Sequence, residues 1–418
     1  MSLGAIVLSA VCLQFDNQLS LKGAEKVSWL WAGGTEGARA ILSTIASSMI
    51  TVAGVVFSIT IVSLTLASSQ FGPRLLRNFV RDAINQAVLG TFVATYLYCL
   101  LVLREVKNVN DQSFVPYLSV TVALVLTTAS LGMLIFFIHH VAGSIQAENM
   151  VASVAAELRA AMESLFPEQA GKGKPAGSEA AEDEKQFGEG EPCRVVAKNG
   201  GYVQAIEVEK LMQCAKEHNV VIRLLKKPGE FVLSGGLLAE IVPVNDDVKE
   251  LIPFVFEAHI IERLRTPRQD AEYCLNQLVE VAVRALSPGI NDPFTAIACI
   301  HWLGDGLCVA AGREMPESRR FDEDAKLRIV AKVPTFAGLA DAAFNAIRQY
   351  GASSPAVVIC LLETLTELAP HLVRDEDRAT IRLHAEMTSR DGLKAMPDAH
   401  DAQEIEGRLR QAREALAR

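Results

Sequence analysis

Five polar side chains fall within one short stretch, "RALSPGINDPFTAI", at residues 284–297: Arg284, Ser287, Asn291, Asp292 and Thr295. A guanidinium, hydroxyls, an amide and a carboxylate gathered on one bend are groups that hold a cation or a small polar ligand. Arg265 and Asp270 upstream, or His301 and Asp305 downstream, would extend the set. The same residues also spell a turn between two helices. Gly289 suits the end of a helix, and Asp292 before Pro293 is an N-cap followed by proline at the first helical position. The stretch therefore reads either as a structural corner or as a ligand or coupling site. It contains no nucleophile–base pair, so no catalytic residue is assigned.

A second pattern lies near the N-terminus. Thr44, Thr51, Ser58 and Thr65 recur at intervals of seven, and Ser48 and Ser69 extend the same stripe. A heptad step keeps residues on one helix face. Hydroxyls on such a face can line a permeation path, replacing part of an ion's water shell. They can equally let two helices approach and hydrogen-bond across the contact. Both readings stay open on the sequence. Just beyond, "ASSQFGPRLLRNFVRD" breaks at Gly72–Pro73 and sets Arg74, Arg77 and Arg81 on one face, opposite Leu75, Leu76, Phe79 and Val80. That is a short basic amphipathic helix for the headgroup level, acting as an anchor or as a gating or lipid-sensing element.

Enzyme signatures are missing: there is no G-x-S-x-G, H-E-x-x-H or G-x-G-x-x-G. "GKGKPAGS" lacks both the phosphate-loop spacing and a preceding strand. His259 and Glu262, at i,i+3 on a presumed helix, are too few for a metal centre, and His139 and His140 read as interfacial residues. No metal, cofactor or enzymatic activity is expected.

Composition explains what carries these residues. Of 418 residues, 50% are hydrophobic and 21% charged, and the mean hydropathy is positive, which points to a membrane part. A net charge of −9 argues against nucleic acid as a partner, since phosphate binding needs concentrated basic surface. Eight scattered cysteines without a C-x-x-C pair fit a reducing compartment. The opening "MSLGAIVLSAVCL" has no basic residue before its apolar run and makes a poor signal peptide.

Apolar runs at about 40–67, 87–103 and 114–138 carry no charge and approach the length a bilayer requires. A shorter run at 3–15 is a fourth candidate span. The expected fold is an α-helical integral membrane protein of three to four transmembrane helices, with a cytoplasmic C-terminal region that is partly α+β and partly helical. Residues 1–145 form the membrane domain and 146–166 a helical extension. A flexible linker follows at 167–192, a small β-rich module at 193–244, a helical domain at 245–370 and a charged helical tail at 371–418. In the β-rich module, 193–208 reads as a hairpin turning at Asn199–Gly201, and 220–243 as a second hairpin. The arginine loop sets the orientation by the positive-inside rule and places the C-terminal region in the cytoplasm.

"ASSQFGPRLLRNFVRD" after a hydroxyl-rich span, together with "TPRQDAEYCLNQLVEVAVRALSPG" and "ALSPGINDPFTAI", resembles a family of bacterial predicted membrane proteins, the domain of unknown function 2254 family. The resemblance implies an inner-membrane protein with a cytoplasmic C-terminal domain, and supplies no activity. Two functions are expected from the residues. One is an oligomeric, channel-like protein lined by Thr44, Ser48, Thr51, Ser58 and Thr65 and regulated by its cytoplasmic part. The alternative is a membrane-tethered sensor or scaffold. The partners expected are the lipid bilayer, further copies of the chain, and a small ion or ligand.

Overall fold

The computed structural model describes residues 1–18, 33–72, 83–109, 112–144, 146–166, 191–242 and 248–417. The chain divides into two units, Met1–Asn149 and Met150–Arg418. Arg74, Arg77, Arg81 and most of the expected linker lie outside the described residues.

The first unit is built from α1 (Ser2–Gln18), α2 (Thr35–Phe71), α3 (Ala83–Glu105), the two-stranded hairpin β1 (Lys107–Val109) and β2 (Gln112–Phe114), and α4 (Tyr117–Ser144). α3 packs on each of the other three helices. α2 turns Leu42, Ile45, Met49 and Val56 inward, with Ala46 and Ala53 between them and Ala38 and Ala67 at either end of the seam. Large and small side chains alternate along this seam, which lets α3 approach closely. α1, α2 and α3 extend past both of their expected ends, while α4 runs on to Ser144 but starts at Tyr117 rather than Phe114, which belongs to β2. At 37 residues, α2 is about 55 Å long, well beyond the ~30 Å of a hydrocarbon core.

The short first run is a full helix of 17 residues that packs on α3 and α4. Its last turn provides the unit's main polar anchor. The Asp16 carboxylate accepts hydrogen bonds from the Leu118 backbone N–H at 2.9 Å, the Ser119 N–H at 3.0 Å and the Ser119 hydroxyl at 2.6 Å. Those amides are the unpaired first N–H groups of α4, where a negative charge is also favoured by the helix dipole. At the same end of α3, Arg39 donates to the Val106 carbonyl at 2.8 Å.

Four helices among the described residues are long and apolar enough to cross a membrane: Thr35–Ser69, Ala83–Glu105, Tyr117–Gly143 and Pro293–Ala311. The fourth was not expected. It belongs to the second unit, where half of its apolar window is buried by protein, so a bundle core accounts for its composition.

The second unit begins in α5 (Ala147–Leu165) and continues into an α+β region. The strands are β3 (Cys193–Val196), β4 (Gly201–Ile206), β5 (Val221–Leu224), β6 (Phe231–Val232), β7 (Leu237–Val242), β8 (His259–Glu262), β9 (Arg319–Phe321) and β10 (Leu327–Val330). The five-stranded sheet runs β3-β7-β5-β10-β9, and a three-stranded sheet runs β6-β4-β8. Two helices, α6 (Val208–Glu217) and α7 (Val248–Glu257), add Leu211, Cys214, Val248, Leu251 and Val255 to a core shared with Val195, Ile222, Leu238, Ile241 and Ile329. Burial of each large aliphatic contributes about 2 kcal/mol.

Three expectations are corrected here. β3 and β4 do not form a hairpin, because β3 pairs with β7 and β4 with β6 and β8. The module does not close at residue 244, since β10 lies parallel to β5, with Ile329 opposite Ile222. The region 245–370 is not all helical, for it supplies β8, β9 and β10. Its β9–β10 turn is set by Asp322, which accepts from the Asp324 and Lys326 N–H groups while the Arg328 guanidinium donates to it at 2.7 Å.

The rest of the unit is three stacked helical hairpins. They are α8 (Ala271–Ala285) with α9 (Pro293–Ala311), α10 (Phe336–Gly351) with α11 (Pro355–Leu368), and α12 (Asp375–Ala395) with α13 (Ala399–Leu416). α8, α10 and α12 pack in one row and α9, α11 and α13 in the other. Partners advance together along α10 and α12, from Asp341–His384 to Arg348–Asp391, so those helices run parallel. Glycines permit the close approaches: a Cβ at Gly304 would strike Thr364, and one at Gly306 would strike Leu158 of α5.

Candidate functional site

The α8–α9 elbow uses its polar groups on itself. Asp292 caps α9, accepting from the Phe294 and Thr295 N–H groups at 3.1 and 3.2 Å and from the Thr295 hydroxyl at 2.5 Å. The Ser287 hydroxyl donates to the Arg284 carbonyl at 2.6 Å. The Arg284 guanidinium lies 3.6 Å from Glu280, one turn back on α8. Asn291 takes the left-handed backbone, φ 51°, that the corner requires, a conformation asparagine tolerates better than most residues. Gly289 does not end α8, because the helix finishes at Ala285 with Leu286 as its C-cap. The extended set does not converge on this elbow. Arg265 and Asp270 pair with each other, Asp305 pairs with Arg159 at 3.4 Å, and His301 contacts the Cys360 thiol at 3.4 Å.

Arg265 and Asp270 instead form a clamp between the β-region and the helical hairpins. Asp270 is 3% exposed, caps α8 through the Tyr273 N–H, and receives two hydrogen bonds from Arg265 at 2.8 and 3.0 Å. Burial pushes its carboxyl above the usual carboxylate range, and the Arg265 charge pulls it part of the way back. Gly229, at φ 91°, passes directly over this carboxylate. Beside it Lys227 pairs with Glu272 at 2.5 Å, and the Gln269 amide accepts from the Ile206 N–H at 2.9 Å. Sequence reasoning missed this clamp, although "KKPGE" and "TPRQDAE" each show a turn glycine or a capping aspartate.

His259 and Glu262 are on strand β8, not on a helix, so residues three apart face opposite sides. The buried His259 ring hydrogen-bonds to the Val255 carbonyl at 2.7 Å, and burial lowers its affinity for a proton. Among the described residues, no cluster of three or more His, Cys, Asp or Glu is placed to hold a metal ion.

On α2, Thr44, Ser48, Thr51, Ser58 and Thr65 are all exposed. At 100° per residue Thr44, Thr51, Ser58 and Thr65 lie on the side away from the seam of Leu42, Ile45, Met49 and Val56, while Ser48 lies at its flank, beside Ile45. Val55 and Val62, exposed by 52% and 58%, complete an unbroken alternation of four- and three-residue steps from Thr44 to Thr65. The hydroxyls of Ser48, Thr51 and Thr65 donate to carbonyls three or four residues back, at 2.8 to 2.9 Å. Their donors are thereby satisfied in an apolar surround.

The family model described as "Predicted membrane protein (DUF2254)" matches residues 1–367. The chain belongs to that family. An uncharacterized protein of Mycobacterium bovis and two from strains of Mycobacterium tuberculosis are each 32% identical to it over 415 residues, covering 96% of this chain and 77% of theirs. No solved structure matches it. The matched segment of this DUF2254 protein ends within α11, so the α12–α13 hairpin lies beyond it. Two of the three stretches that carry the family resemblance have distinct structural roles here: "TPRQDAEYCLNQLVEVAVRALSPG" supplies Asp270 of the clamp and leads into α8, and "ALSPGINDPFTAI" forms the Asp292-capped elbow, while "ASSQFGPRLLRNFVRD" lies mostly outside the described residues.

Proposed function

We propose that this protein assembles into a homo-oligomer through α2 and forms a channel-like permeation path in the bacterial inner membrane, with its C-terminal unit in the cytoplasm. The observation that carries this reading is the heptad face of small and β-branched residues on α2, directed away from its own bundle. Copies of α2 set around a membrane-normal axis and touching through the flanks of the helix would turn this face toward the axis. Back-bonded hydroxyls keep their oxygen lone pairs available to a passing ion or its water.

A second reading, a membrane-tethered sensor or scaffold, is supported by the stacked hairpins, an architecture that offers extended binding surface. Proteoliposomes loaded with potassium chloride separate the two. Protein-dependent salt efflux is expected, reduced about tenfold by S58L/T65L, which replaces hydrogen-bonding oxygens with apolar bulk. Efflux that stays at the protein-free background, or is unchanged by the double variant, refutes the channel and leaves the sensor.

A further inference from the structure

The terminal hairpin α12–α13 docks against α10 through a polar seam that the permeation reading does not use. His384 is 1% exposed, and its Nε2 lies 3.3 Å from the Asp341 carboxylate. That contact places the neutral ring's proton on Nε2. Nδ1 is then a bare lone pair, buried and without a partner. The ring stands edge-on to Phe344 at 5.9 Å. One heptad along, Arg348 pairs with Asp391, while its Nε and the Thr388 hydroxyl are buried without partners. Buried polar atoms in native folds are almost always satisfied, so this seam holds a local deficit.

From this geometry we infer that the terminal hairpin is a proton-released cap: it stays docked while His384 is neutral and separates when the ring is protonated. A second proton has to go on Nδ1, creating a buried N–H with no acceptor. The cation it makes would also sit near Arg348. Asp341 offers compensation from one side only, and it is itself largely exposed. Among the described residues, Asp341 and Arg348 of α10 are the charged groups that act on the ring. On the far side of α12, Glu386 pairs with Arg413 of α13 at 3.1 Å. Undocking frees the imidazolium to hydrate, at the expense of the contacts of α12 and α13 with α10 and α11.

The direction follows from linkage. Burial and Arg348 lower the ring's proton affinity in the fold. The unfolded or undocked state therefore binds the proton more readily, and docking weakens as pH falls below the ordinary histidine value of about 6.5.

The test is hydrogen–deuterium exchange on the full chain in lipid nanodiscs, corrected for intrinsic rates. Between about pH 7.5 and about pH 5.5, one linked proton predicts roughly tenfold faster exchange in residues 375–416, with α8–α11 unchanged. In H384F, which fills the site beside Phe344 and cannot titrate, the ratio is expected to fall to about one. If H384F has already lost protection at neutral pH, H384Q takes its place, since its amide can reach Asp341 without titrating. A flat wild-type profile, or a pH ratio that persists in the non-titrating variant, overturns the inference. Titration of His259 is read separately, in peptides spanning α7 and β8.

Discussion

Gly229→Ala is expected to lower the stability of the C-terminal unit by about 3 kcal/mol, well above the typical single-substitution effect. Two costs combine. Alanine at φ 91° is strained by about 1–2 kcal/mol. Its new Cβ would also land on the Asp270 carboxylate, which cannot withdraw without breaking the Arg265 pair and the α8 cap. Displacing a buried ion pair costs several kcal/mol when one charge is left uncompensated, so partial displacement accounts for the remainder. Thermal unfolding in detergent measures the total. In a D270A background the steric part disappears, and the G229A penalty is expected to shrink to the strain alone, about 1–2 kcal/mol. A penalty of the same size in both backgrounds would show that the clamp does not bear on the glycine.

Asp16→Ala is the second large effect, placed in the membrane unit. It removes three hydrogen bonds to the start of α4 and leaves the Leu118 and Ser119 N–H groups unpaired. Each of the two N–H donors left unsatisfied costs about 1–3 kcal/mol, for a total of about 2–6 kcal/mol. The consequence is local, because α1 is joined to α4 through this carboxylate at one end of the bundle. Cys12, on α1 and 6% exposed, reports it. A thiol-reactive fluorophore is expected to label D16A at a lower temperature than the unsubstituted chain, with Cys12 as the newly modified site. Labelling of Cys12 at an unchanged temperature would mean that packing alone holds α1.

Some of this was legible in the residues and some was not, for physical reasons. Uncharged apolar runs announced α2, α3 and α4, because a bilayer demands length and hydrophobicity that sequence displays directly. Their ends were not displayed, since caps such as Asp16 on α4 come from a different helix. Pro293–Ala311 shows the limit of hydropathy: a helix surrounded by others in a hairpin stack reads much like a span. The cap on α9 was legible from Asp292 before Pro293, because that chemistry is local. The sheet order was not, because β5 and β10 are far apart in sequence and four-residue strands carry no signal of partner. The hydroxyl stripe was visible as a heptad, but its direction relative to the bundle required the packing of α3. His384 gave no signal at all, since only the α10–α12 contact makes it buried.

The orientation of the α2 stripe toward an aqueous axis is the claim on which the functional proposal rests. Single cysteines at Thr51 and Ser58, in the full chain in membranes, are to be exposed to a charged, membrane-impermeant thiol reagent, with Ile50 and Phe57 as exposed positions on another face of the same helix. Such reagents need a thiolate, which forms in water and not in hydrocarbon. The account predicts that T51C and S58C react at least about tenfold faster than I50C and F57C. Reaction at all four positions at the same slow rate would place the stripe in lipid or a dry helix contact and contradict the account.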